Sequence, residues 1–225
     1  PTPTASGAVV ITYAGSDGTT STNGTLTVTV GANTAPVADA VAVSGLEDAA
    51  SIVFNLSGSD ADAGGSIASA QVTALPLASQ GVLYLADGVT AVTTAMVLTP
   101  AQMVGLKFVP AADYNGTVTI PYSVTDNAGL VSTATANAVI TVTPVNDAPV
   151  TGPDTATTAF NTPVTNINVL ANDSDVDGDT LSVTGATVDP TKGTVTVNGD
   201  GTLNFTPTAT ASGAVVITYT VSDGT

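Results

Sequence analysis

The chain has 225 residues, 18 acidic against two basic side chains, and a formal net charge of −16. It contains no Cys, His, Trp or Arg. That excludes disulfides, Cys/His zinc sites, serine and cysteine nucleophile triads and arginine clamps on phosphate, while two lysines, Lys107 and Lys192, are far too few to neutralise a nucleic-acid backbone.

Hydrophobic residues make up 43% and aromatics 4%, so any core is built from Val, Ile, Leu and Ala. Thr and Val favour strands, and the scarcity of Glu, Lys and Arg removes the usual helix formers. Period-two alternation then marks strands along the chain. Leu26, Val28 and Val30 share one face. Residues 99–106 suit a single helical turn, with Pro100 at its first position. Ile120, Tyr122 and Val124 share a face further on. Strands are then expected near 154–159, 164–169, 180–188, 194–198, 202–206 and 214–222. Asn198-Gly199-Asp200-Gly201 marks a hairpin between two of them. Seven strands in about 100 residues predict an all-β fold of tandem seven-strand immunoglobulin-like β-sandwich modules. No apolar run reaches the ~18 residues of a membrane helix.

An internal repeat sets the module boundaries. Residues 1–19, PTPTASGAVVITYAGSDGT, match 207–225, PTATASGAVVITYTVSDGT, at 16 of 19 positions. A shorter match links Asn33-Thr34-Ala35-Pro36-Val37 to Asn146-Asp147-Ala148-Pro149-Val150, 113 residues later. The expected domains are therefore 1–33, the C-terminal part of a preceding module; 34–146, a complete module; and 147–225, a module without its last strand. That last strand should resemble residues 20–33, TSTNGTLTVTVGAN. The chain starts mid-pattern and reads as part of something longer. Either it is a window of one continuous repetitive polypeptide, or it is a subunit that exchanges strands head to tail with its neighbours. The duplication of residues 1–19 favours the former.

The carboxylates cluster. Asn172-Asp173-Ser174-Asp175-Val176-Asp177-Gly178-Asp179 holds four in seven residues. Like charges ~5 Å apart repel by on the order of 1–3 kcal/mol per pair, and a hard cation removes that cost. Calcium, which takes 6–8 oxygen ligands in flexible loops, is the expected ion. The loop is not an EF-hand, because position 12 counted from Asp173 is Thr184 rather than Glu. The middle module has a sparser loop carrying Asp60 and Asp62. In a sandwich, the pole where the chain comes in gathers several loops. For the last module this collects Asn146, Asp147, Asp173, Asp175, Asp177, Asp179 and Asp223, with Glu47 and Asp48 (and Asp113) at the outgoing pole of the module before. A cation shared there would lock the angle between modules. The other junction offers Asp60, Asp62, Asp126 and Asp39, but has Thr34 in place of Asp147 and Phe160-Asn161 in place of Glu47-Asp48, so fewer or weaker ions are expected.

PVNDAPV (144–150), LANDSDVDGDTLSVTGATV (170–188), GTVTVNGDGTLNFTPTA (193–209) and YTVSDGT (219–225) resemble the cadherin-like, immunoglobulin-like tandem repeats of giant bacterial surface adhesins and extracellular filaments. LEDAA (46–50) and PAADYNGTVTIPYSVTDNAG (110–129) resemble a longer variant of that repeat. The resemblance implies an extracellular rod with calcium at module junctions, held by Glu47 or Asp48, Asn146, Asp147, Asp175 and Asp177. It also implies a role as an extender in adhesion, biofilm or fibre formation, with neighbouring copies of the repeat as the partners, head to tail. No nucleic acid, small-molecule substrate or membrane insertion is expected. A carbohydrate- or ligand-binding module is the alternative, disfavoured because the chain has no Trp and its five Tyr sit mostly in core phase. A carboxylate-pair hydrolase is weaker still, since a cation accounts better for each acidic pair.

Overall fold

The computed structural model describes residues 6–225; Pro1 to Ala5 of the sequence repeat lie outside them. The chain divides into two compact units, one running to Pro144 and one from Val145 to Thr225. All regular structure among the described residues is β, and no helix there is long and apolar enough to cross a membrane.

The first unit opens with a hairpin of β1 (Gly7–Ser16) and β2 (Ser21–Val30), paired only with each other. Its apolar residues are uncovered, with Ile11 and Leu26 about half exposed. Then come β3 (Val37–Ala38), β4 (Val41–Leu46), β5 (Ile52–Phe54), β6 (Gly58–Ser59), β7 (Ile67–Val72), β8 (Gly81–Tyr84), β9 (Leu106–Pro110), β10 (Gly116–Asp126) and β11 (Ala136–Thr143). A four-stranded sheet in the order β4-β11-β10-β7 faces a three-stranded sheet, β5-β9-β8. The β4–β11 pair is parallel, and β10 is antiparallel to both its neighbours. Val118, Ile120, Tyr122 and Val124 alternate inward along β10 and are fully buried, as the period-two pattern predicts. They meet Phe54, Leu83 and Phe108 of the opposite sheet.

The expected turn near residue 100 forms. The amides of Gln102 and Met103 both donate to the Thr99 carbonyl, at 2.9 and 3.0 Å. The Thr99 amide and hydroxyl both donate to Gln102 Oε1 at 3.0 Å, which is one half of a capping box, and Met103 plugs the core. Tyr122 ties the sheets together. Its hydroxyl lies within hydrogen-bond reach of the Asp39 and Ser57 carbonyls and accepts from the Ser57 amide. Burial, with Asp39 nearby, pushes that phenol up from its ordinary value.

The second unit contains β12 (Val164–Ile167), β13 (Ser182–Val188), β14 (Gly193–Val197), β15 (Leu203–Pro207) and β16 (Ile217–Ser222). They form a three-stranded sheet, β12-β15-β14, and a pair, β13-β16. The Asn198–Gly201 turn joins β14 to β15 as expected, with the Asn198 amide on the Thr202 carbonyl at 2.8 Å. The core is small: Val169, Val183 and Leu203 at the centre, with Ile167, Val195, Ile217 and Tyr219 around them.

Two sequence expectations fail here for one reason. Residues 154–159 form no strand, and β16 starts at Ile217 rather than 214. Residues 154–159 correspond to β4, 113 positions earlier, and the only ladder partner of β4 is β11. Among the described residues the second unit has no strand that corresponds to β11, and the segment has no ladder partner there. Of the five tyrosines expected mostly in core phase, Tyr13 is the exception at 58% exposed, and among the described residues no sheet covers the hairpin that carries it.

Candidate metal centres

The acidic loop of the second unit is curled around Asp175. Its Oδ1 accepts the amides of Asp177 (2.9 Å) and Asp179 (3.4 Å). The Gly178 amide reaches the Asp175 carbonyl at 3.3 Å, and Gly178 sits at φ +80°, a left-handed conformation that glycine takes without strain. One carboxylate oxygen from each of Asp175, Asp177 and Asp179 lies within 4.8 Å of the others. The loop is docked on the incoming chain by a two-bond bridge between Val150 and Ser174 and by the Gly152 amide on Asp173 Oδ1 at 2.8 Å.

The first residues of the unit are clamped to the same pole. The Asp147 amide donates to Asp177 Oδ2 at 2.8 Å, and Asn146 Nδ2 donates to Asp223 Oδ2 at 2.7 Å. The Asn146 side chain and the Thr225 amide hold the Asp223 carboxyl below its ordinary value. Asn146, Asp147, Asp175, Asp177, Asp179 and Asp223 thus belong to one connected acidic network, with Asp173 anchoring the loop from behind.

The first unit repeats this scheme with three carboxylates, Asp60, Asp62 and Asp126, in place of five. The Thr34 amide donates to Asp62 Oδ2 at 2.7 Å, and Asn33 Nδ2 donates to Asp126 Oδ2 at 2.8 Å. Asp60 Oδ1 accepts the Asp62 amide at 2.9 Å. Gly65 lies so close to Asp60 that a Cβ there would come within 2.4 Å of its Cγ. Asp126 is 1% exposed, and its Oδ1 accepts the amides of Ala128 and Leu130, each at 2.8 Å. Burial pushes its pKa up, but the bonds from Asn33, Leu130 and Ala128 outweigh that and hold the carboxyl below the ordinary range. Sequence reasoning assigned Asp126 to this pole but missed the Asn33 clamp. The matching Asn33-x-Ala-Pro and Asn146-x-Ala-Pro strings carried that signal.

Glu47 and Asp48 follow β4 at the opposite, outgoing pole of the first unit. The Glu47 amide donates to the Thr143 carbonyl at 3.0 Å, and Asn115 Nδ2 donates to Glu47 Oε2 at 3.2 Å. Glu47 is buried and Asp48 exposed. Asp113 is exposed at φ +58°, and Asp39 accepts the Ser57 hydroxyl at 2.9 Å. The sequence reading passed over Asp154, whose Oδ2 sits 2.8 Å from the Tyr219 hydroxyl. Burial first, and then Asp154, push that phenol up to about 12.

The donor chemistry fits a hard cation. The Oδ2 atoms of Asp60, Asp173 and Asp175 are buried and accept no hydrogen bond. A buried carboxylate oxygen left unsatisfied is costly, and an all-oxygen set is what calcium takes. The chain offers only Lys107 and Lys192 as cationic side chains to offset its 18 carboxylates. Asp175, Asp177, Asp179 and Asp147 would hold such an ion in the second unit, and Asp60 and Asp62 in the first.

Comparison with known families agrees with this geometry. Residues 145–225 match the cadherin-like domain, and residues 33–141 match the bacterial Ig domain. No curated protein matches the chain. Cadherin-like domains typically bind calcium, and both families are typical of surface or extracellular proteins and are generally non-enzymatic.

Proposed function

We propose that this chain, built of cadherin-like and bacterial Ig-like repeats, is an extender segment of a bacterial extracellular adhesin or surface filament, in which calcium stiffens the links between successive modules. The observation that carries this reading is the tie between the linker and the acidic loop. Asn146 and Asp147 come two and three residues after Pro144, and both are bonded to carboxylates of the pole, Asp223 and Asp177, beside the unsatisfied oxygen of Asp175.

Bound calcium supplies positive charge that cancels the repulsion within the Asp175, Asp177 and Asp179 triangle. The chain's own residues do the rest. Asp175 Oδ1 shapes the loop through backbone amides and leaves Oδ2 facing inward. Asp177 grips the Asp147 amide, so whatever fixes the loop also fixes the linker. Pro149 narrows the backbone freedom that remains. The boundaries at 33 and 146 recur with the Asn-x-Ala-Pro string, so the same linker joins one repeat to the next, with neighbouring copies as the partners in a rod.

Small-angle scattering of the 225-residue chain in calcium and in chelator tests this. We expect a longer maximum dimension and less flexibility in calcium. Identical profiles in the two buffers would remove the stiffening mechanism.

A further inference from the structure

The charged side chains are sorted by element. Of the 18 acidic and two basic residues, Asp126 and Lys107 alone lie in strands among the described residues. Asp126 ends β10 and is buried, and Lys107 sits on the middle strand of the sheet β5-β9-β8. Every other carboxylate is in a turn or loop. The outward face of the sheet β4-β11-β10-β7 therefore carries no charge, in a chain whose net charge is −16.

The ladder registers fix what that face presents. One row across the sheet runs Ser44, Thr141, Thr117, and the next runs Ala42, Val139, Thr119. All are exposed except Val139, which is half-buried at the middle. The residues that alternate with them, Val118, Ile120 and Ile140 among them, are buried in the core. β4 is an edge strand of this sheet, and it lacks the lysine that commonly guards a sheet edge.

We propose that this face is where a second copy of the chain packs alongside, sheet against sheet, about a two-fold axis. Charge selects the occupant. A two-fold contact sets the patch against itself, so any carboxylate on it would meet its like. In a chain with 18 carboxylates, a charge-free face is what such a contact requires. Thr and Ser hydroxyls both donate and accept, so an array of them can satisfy its own copy, while the Thr methyls and Val139 supply apolar area. A cationic partner would be drawn to the acidic loops instead. A sugar finds no aromatic to stack on, since Tyr122 of β10 is fully buried.

The area suffices for a weak contact. At ~3.3 Å per residue and ~4.8 Å between strands, four strands of these lengths present roughly 500 Å² per copy. About 1,000 Å² in the pair is the lower end for a specific interface. Such a contact strengthens by avidity wherever several of these units share one polypeptide. The face holds none of the carboxylates of the metal centres, so the contact does not rest on the calcium reading and persists in chelator.

The experiment is sedimentation equilibrium of the 225-residue chain in chelator, from about 10 to 500 µM, at about 0.15 M salt, where charges are screened within ~8 Å. The weight-average mass is expected to climb towards twice that of the monomer. T119K/T141K puts lysines at two exposed positions of the face and reduces the net negative charge, so general repulsion between copies falls. It is nevertheless expected to stay monomeric over the same range. V82K, on the outward side of β8 in the opposite sheet, is expected to associate like the unaltered chain. A monomer at every concentration, growth past the dimer, association that survives T119K/T141K, or association lost equally in V82K would each overturn the proposal.

Discussion

Tyr122 and Tyr219 occupy matching places, each with its hydroxyl against the carbonyl of an incoming segment, Asp39 in one unit and Gly152 in the other. Removing the hydroxyl of the fully buried Tyr122 leaves the Asp39 carbonyl without its hydroxyl donor and the Ser57 amide without its acceptor, while the Ser57 carbonyl keeps the Asp39 amide at 3.1 Å. Tyr122→Phe should therefore cost the first unit about 1–3 kcal/mol, read from chemical denaturation. The acidic residues give a prediction in pH. Asp126 and Asp223 have folded pKa values below their ordinary values. The unfolded chain therefore binds more protons than the folded chain between the two values. Their contribution is complete above the ordinary carboxyl value of ~3.9 and is lost as pH falls through the lower folded values. Denaturation midpoints in chelator should fall below about pH 4, and D126N should shrink that fall in the first unit. The acidic loop was legible in the sequence because four Asp within seven residues have few other uses. The Asn33 and Asn146 clamps were less so, since an asparagine three residues before a proline has many roles and only its carboxylate partner, 93 or 77 residues away, distinguishes this one.

Strand periodicity predicted β12 to β16 to within about three residues of where they lie, because alternating Val, Ile and Thr faces a core on one side wherever a sheet exists to hold it. It failed for residues 154–159 and for 214–216, where the pattern is present and, among the described residues, the neighbouring strand is not. A strand is a pairwise object, and local sequence carries only half of it. The units also differ in core size, with Phe54, Leu83, Phe108 and Tyr122 buried in the first and only Val169, Val183 and Leu203 central in the second. The second unit should therefore melt first. Leu203→Ala should lower that first transition by about 2–5 kcal/mol while leaving the upper one unchanged, as calorimetry would resolve. Phe108→Ala should do the reverse, costing the upper transition about 3–5 kcal/mol.

Across the whole chain, 18 carboxylates face two lysines, and the repeat places the acids at recurring positions after each Asn-x-Ala-Pro linker. A ligand that binds only the folded form stabilises it by mass action, about 2.7 kcal/mol when free ligand is about 100 times Kd. For a unit the size of residues 145–225, that is a rise on the order of 10 °C. The most direct test is calorimetric melting of the 225-residue chain and of D175N/D177N, each in millimolar calcium and in chelator. The account predicts that calcium raises the lower transition of the unaltered chain by on the order of 10 °C and barely moves that of the variant. Transitions of the unaltered chain that coincide in the two buffers would contradict it.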